Sequence, residues 1–157
     1  KPPVYMLGVG SRTDHNLISS MPDLTTTAAK EAAAAAFAMA GVTPDDIDVV
    51  ELYDAFTINT ILFLEDMGFC KKGEGGSFVS NGNIAPGRSL PVNTNGGGLS
   101  CVHPGMYGMF LMIEAVQQLR GECGDRQIKE AKLAACNGNG GFLASQVTAI
   151  FGTEETL

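Results

Sequence analysis

A chain of 157 residues with 45% apolar and only 17% charged residues has the material for one ordinary domain and is too apolar to be disordered. Seventeen acidic against ten basic side chains give a net charge of −7. That argues against nucleic acid and anionic membranes as partners, because both require a basic face. No apolar run approaches the ~20 residues of a membrane span.

The predicted elements follow in chain order. Val4 to Val9 is a β-rich apolar run that reads as a buried strand. Gly10 to Asp23 is polar and irregular, and Thr25, Thr26 and Thr27 then offer N-caps for an alanine-rich helix from Ala28 to Ala40, stopped by Gly41. After the turn Pro44-Asp45-Asp46, Ile47 to Leu52 alternates and reads as a second strand. From Asp54 the apolar spacing becomes helical and runs to Gly68. Cys70 to Pro104 is glycine-rich, with little regular structure expected. Its apolar anchors Phe78, Ile84 and Leu90 favour an ordered, functional loop. Met106 to Leu119 is apolar around most of its circumference and predicts a buried helix. Gly121 to Glu130 is a polar connection, and Ala131 to Cys136 and Ser145 to Phe151 read as two last strands joined by a glycine-rich turn from Asn137 to Gly141. The order β-α-β-α-loop-α-β-β predicts an α/β layer fold with helices packed on a mixed sheet.

Cys70, Cys101, Cys123 and Cys136 lie far apart with no C-x-x-C pair, so neither a disulfide framework nor a zinc site is expected. Reduced thiols point to a cytoplasmic protein. Because the chain opens at Lys1 without methionine or a signal peptide, it is expected to be part of something longer.

Gly8-Val9-Gly10 follows a strand as a dinucleotide loop would, yet Thr13 stands where the third glycine belongs and no helix opens there. His15, in a polar loop, reads as a solvated surface histidine. His103 closes the run Asn93-Thr94-Asn95-Gly96-Gly97-Gly98-Leu99-Ser100-Cys101-Val102-His103-Pro104, just before a helix. An imidazole there has the titration range for proton transfer, and the helix N-terminus favours its neutral, basic form. A histidine that merely bonds loop backbone fits the same pattern. Cys136 ends a strand ahead of glycines whose amides can converge on a developing oxyanion; a buried structural cysteine is the alternative. In Glu51-Leu52-Tyr53-Asp54-Ala55-Phe56, Asp54 fits an N-cap, and Tyr53 either packs or donates a hydrogen bond. All three clusters lie at strand ends or helix starts, where active sites of open α/β sheets gather.

Together these motifs resemble the C-terminal half of the thiolase superfamily. Val92-Asn93-Thr94-Asn95-Gly96-Gly97 through His103-Pro104 is similar to the family's V-N-x-[NS]-G-G-x-[IL]-x-x-G-H-P block, with Val102 where glycine is usual. Cys136-Asn137-Gly138 resembles its C-x-G motif. Tyr53-Asp54-Ala55-Phe56 stands where thiolases carry N-E-A-F and the sterol-carrier branch carries H-D-C-F. The resemblance runs from about Val4 to Gly152 and implies a layered thiolase-like C-terminal domain. It implies thiolytic cleavage or Claisen condensation of 3-oxoacyl-CoA, with coenzyme A thioester as substrate and no cofactor or metal. It also implies roles. His103 would activate a nucleophilic cysteine, Cys136 would carry the α-proton, and the Gly138 amide would hold an oxyanion. Tyr53 and Asn93 would position water or the oxyanion, and Asp54 and Tyr107 are secondary candidates. The nucleophile would sit in an N-terminal half outside this sequence. A homodimer or tetramer is implied, and in the sterol-carrier or lipid-transfer branch a partner with an OB fold and a zinc ribbon. The alternatives are a retro-aldolase of side-chain acyl-CoA esters working with such a partner, and a non-catalytic thiolase-fold subunit or fragment.

Overall fold

The period-two and helical patterns are realised as one mixed sheet with helices on both faces. In the computed structural model, which describes residues 1–102 and 104–157, β1 (Tyr5–Thr13), β2 (Val49–Leu52), β3 (Leu133–Gly140) and β4 (Ser145–Gly152) form a four-stranded sheet in the order β1-β4-β3-β2. β4 pairs antiparallel with both β1 and β3, whereas β2 lies parallel to β3. Helices α1 (Ala29–Ala40) and α2 (Thr57–Asp66) cover one face, where Ala33, Ala36, Phe37, Phe63 and Leu64 pack with Val50, Leu52, Ala135 and Ile150. Helix α5 (Gly108–Leu119) covers the other, with Leu111, Ala115 and Leu119 against Val49, Ala134, Cys136 and Ala149. The expected alternation of the second strand is corrected: Val49, Val50, Glu51 and Leu52 are all buried, because helices cover β2 on both sides.

The glycines of β1 owe their place to packing. A Cβ on Gly8 would press on the Ala36 carbonyl oxygen, and one on Gly10 on that of Ala32. Small residues on both surfaces let α1 lie directly on the strand. Helix α1 ends as expected at Gly41 (φ 70°), whose N–H reaches the Phe37 carbonyl at 2.9 Å. Its start differs slightly from expectation. The Thr27 hydroxyl donates to Asp66 Oδ2 at 2.8 Å and accepts from the Ala29 N–H at 3.2 Å, tying the helix start to the end of α2.

Four further expectations are corrected. The segment from Cys70 carries short helices α3 (Gly75–Val79) and α4 (Gly97–Ser100), and Val92 forms a parallel bridge with Val50 along the free edge of β2. The glycine-rich stretch after Cys136 is strand, not turn, and residues 141–144 make the turn. Asn137, Gln146 and Thr148 are fully buried there and bond one another, which compensates for the poor strand propensity of the glycines. Helix α5 is buried on one side only, since Met109, Phe110 and Ile113 remain 52%, 46% and 49% exposed. His15 is buried under the turn, with a ring nitrogen 3.0 Å from the Phe142 carbonyl oxygen.

Candidate active site

A cavity of about 460 Å³ opens between the start of α5 and the β3–β4 hairpin. Cys136, Gly138 and Tyr53 share its wall with Met106, Gly108 and Val147. Strand periodicity explains the pairing of the first two: residues two apart point to the same face of β3. A Cβ on Gly138 would sit 3.9 Å from Gly108 Cα and from the Val147 carbonyl oxygen. No clash therefore demands glycine, and its effect is to leave backbone uncovered at the cavity wall. The Cys136 thiol is 3% exposed and reaches the Leu111 carbonyl oxygen at 3.6 Å. Burial pushes this thiol well above its usual range, and Glu51 adds to the effect when it is ionised. It is a proton-bearing group at neutral pH.

Tyr53 follows the last residue of β2. Its N–H donates to the Asn137 carbonyl at 3.0 Å, and its ring meets Tyr107 edge-on with centroids 5.2 Å apart. Tyr107 in turn stacks on Phe110 at 6.0 Å. Its buried hydroxyl has no hydrogen-bond partner among the described residues, and burial together with Asp54 and Glu51 drives the phenol upward, so it stays protonated.

Two candidates hold the loop instead of lining the cavity. Asp54 does not cap α2, whose N-cap is Phe56. Its carboxylate accepts the Gly98 N–H at 2.7 Å and the Leu99 N–H at 3.3 Å, so it caps α4 across space. The close approach leaves no room for a Cβ at Gly97, which also adopts φ 70°. Asn93 (φ 52°) donates its N–H to the Val50 carbonyl at 2.9 Å and accepts the Leu52 N–H on Oδ1 at 2.7 Å, prolonging the sheet at its edge. Asp54 and Asn93 thereby anchor the run leading to residue 103. His103 itself lies outside the described residues.

A polar cluster beneath α5 was not singled out by sequence reasoning. Glu51, Thr94, Glu114 and Gln118 are all buried, and Arg126 makes a two-point ion pair with Glu114 at 2.9 and 3.0 Å. The one signal in the sequence is an acidic residue inside the apolar run Val49-Val50-Glu51-Leu52. All four cysteines are free thiols, and no group of three metal-ligating side chains occurs among the described residues. No helix among them is long and apolar enough to cross a membrane.

A sheet layered between helices, with Cys136 and Gly138 two residues apart at a strand-end cavity, makes this an α/β domain. The Thiolase C-terminal domain-like family profile matches residues 10–153, and the chain belongs to that family. It is 39% identical over 151 residues to the acetyl-CoA acetyltransferase of Methanothermobacter thermautotrophicus, covering 95% of this chain and 39% of that protein. It is 42% identical over 106 residues to human sterol carrier protein 2, covering 67% of this chain and 19% of that protein. Among solved structures, the Ltp2-ChsH2(DUF35) aldolase superposes with a TM-score of 0.86 at 28% identity, over 99% of this chain and 41% of that one. The chain thus spans well under half the length of these relatives.

Proposed function

We propose that this chain is the C-terminal domain of a thiolase-like acyl-CoA acyltransferase that cleaves 3-oxoacyl-CoA with coenzyme A, or runs the reverse Claisen condensation. The observation that carries the reading is the placing of Cys136 and Gly138 together on the wall of one cavity. A thiol kept protonated by burial suits an acid that delivers a proton to the enolate carbon of departing acetyl-CoA. The Gly138 backbone is the candidate oxyanion donor, and Tyr53 stands where it would order water or the thioester oxygen. His103 takes the role of base for a nucleophilic cysteine supplied by an N-terminal half. That half, in a homodimer or tetramer, would pack on the apolar outer side of α5, where Met109, Phe110 and Ile113 are bare.

A second reading has its own support. A tyrosine stands at position 53 where thiolases carry asparagine or histidine, it meets the protonated Tyr107 edge-on, and a solved aldolase shares the fold. Retro-aldol cleavage of a side-chain acyl-CoA, with an OB-fold and zinc-ribbon partner, follows from that view.

Product analysis on the full-length protein separates the two: thiolysis consumes free coenzyme A, whereas an aldolase releases a ketone or aldehyde without it. Under the first reading His103→Ala abolishes acyl-enzyme formation. Cys136→Ser spares acylation and slows α-proton exchange by on the order of a hundredfold or more. Equal loss of both steps in Cys136→Ser contradicts the division of roles.

A further inference from the structure

Glu51 is in register with Cys136 across the parallel β2–β3 pair, so both side chains point under α5. Its carboxyl is fully buried. The Thr94 Oγ1 atom lies 2.8 Å from Glu51 Oε1 and 2.7 Å from Glu114 Oε1, and the Gln118 amide donates to the same Oγ1 at 2.9 Å. A threonine hydroxyl has one proton to give. Glu114 is held as the carboxylate by its two-point pair with Arg126. If Glu51 were also ionised, one of the two short oxygen–oxygen contacts would have no proton in it. Its Oε2, buried without a partner, would in addition carry unsolvated negative charge.

A proton on Glu51 Oε1 fills both short contacts and removes the charge from the unpartnered Oε2. Glu51 then donates to Thr94 Oγ1, Thr94 donates to Glu114 Oε1, and the Gln118 amide takes the remaining lone pair. We infer that Glu51 is carried as the neutral acid in this chain of shared protons, and that it is a positioning residue whose charge state governs how readily Cys136 releases its proton. The role at Cys136 rests on the thiol being the proton carrier proposed above.

The surroundings agree. Besides Thr94, the titratable groups that interact with Glu51 include Glu114, Cys123 and Arg126 on α5 and the turn after it, Tyr107 ahead of α5, Asp54 beyond β2, and Cys136 on β3. Arg126 is the cation among them, and it is committed to Glu114. Burial first, then the charges of Glu114 and Asp54, push the Glu51 carboxyl up to about 8 against partial relief from Thr94. Below that pH the sheet face beside Cys136 carries no charge from Glu51. Above it, a new anion next to the thiol opposes formation of the thiolate.

Two measurements on the full-length protein test this. Infrared difference spectroscopy should show a protonated-carboxyl band that disappears as the pH passes about 8 and is missing from Glu51→Gln. Absence of that band from the wild type overturns the inference. Alkylation of Cys136 by iodoacetamide, resolved by peptide mass spectrometry from about pH 6 to about pH 10, should become on the order of tenfold faster at the alkaline end in Glu51→Gln. An unchanged profile overturns the coupling. If Glu51→Gln does not fold, Thr94→Val takes its place. It strips the hydroxyl from between the two carboxyls and should move the acid band, and an unmoved band sinks the chain of protons. Unimpaired α-proton exchange in Cys136→Ser removes the catalytic reading of the thiol but leaves the infrared result for Glu51 standing.

Discussion

At the scale of single residues, Asp54 shows a buried carboxylate whose partners are peptide N–H groups. The amides of Gly98 and Leu99 converge on its two oxygens, and the positive end of α4 stabilises the charge. Asp54→Ala leaves these donors unsatisfied and should cost roughly 1–2 kcal/mol, read as a lower Tm of the full protein. Asp54→Asn keeps one acceptor and should lose less; equal losses would show that the carboxylate is not the cap. Sequence had suggested a capping role, but for the wrong helix. The choice between the adjacent α2 and the distant α4 depends on how the loop folds back. Asn93 is a similar case, since a motif residue proved to be a substitute strand partner for Leu52. Cys136 and Gly138 were legible through their resemblance to a C-x-G motif, while their shared side of β3 was not, because the glycines after Cys136 read as a turn.

At the scale of elements, the helices and strands with unbroken patterns formed close to where their spacing put them, as in α1, α2, α5 and β2. The differences occur where local propensity competes with pairing. Glycines at 138 and 140 resemble a turn, yet they are strand because Ser145–Gly152 offers a full-length partner and a buried amide and hydroxyl ladder fixes the register. Gly8 and Gly10, which the missing third glycine already set apart from a nucleotide loop, are packing glycines. This contrast is measurable. Gly10→Val drives a side chain into the α1 backbone at Ala32 and should cost roughly 1–3 kcal/mol or more. Gly138→Ala adds a methyl with no neighbour nearer than 3.9 Å and should stay within about 0.5 kcal/mol of wild type. Matching Tm losses for the two would contradict the packing account of β1.

At the scale of the whole molecule, two buried carboxyls give the stability opposite dependences on pH. Burial favours the acid form of Glu114, but the hydrogen bonds and charge of Arg126, together with hydrogen bonds from Thr94 and Gln118, outweigh it and hold the group below its usual range. Its contribution is present above the ordinary value of 4.5 and is lost as the pH falls through the lower folded value. Glu51 acts the other way. Its folded value of about 8 exceeds 4.5, so the native state retains a proton that the unfolded chain has released. Stability from this group is complete below 4.5 and falls by roughly 1.4 kcal/mol per pH unit towards the folded value. Thermal unfolding of wild type and Glu51→Gln should therefore diverge as the pH rises from about 5 to about 8, with the variant gaining. Parallel curves would refute the assignment. The strand order has a separate consequence for synthesis. Within this domain β1 precedes the other three strands in sequence and its partner β4 follows them, with Tyr5 aligned to Gly152. As the chain grows from the ribosome, β1 has no pairing strand until β4 emerges. Closure is consequently a late, long-range event, and a nascent chain arrested before residue 145 would need a chaperone to keep β1 from pairing with its neighbours.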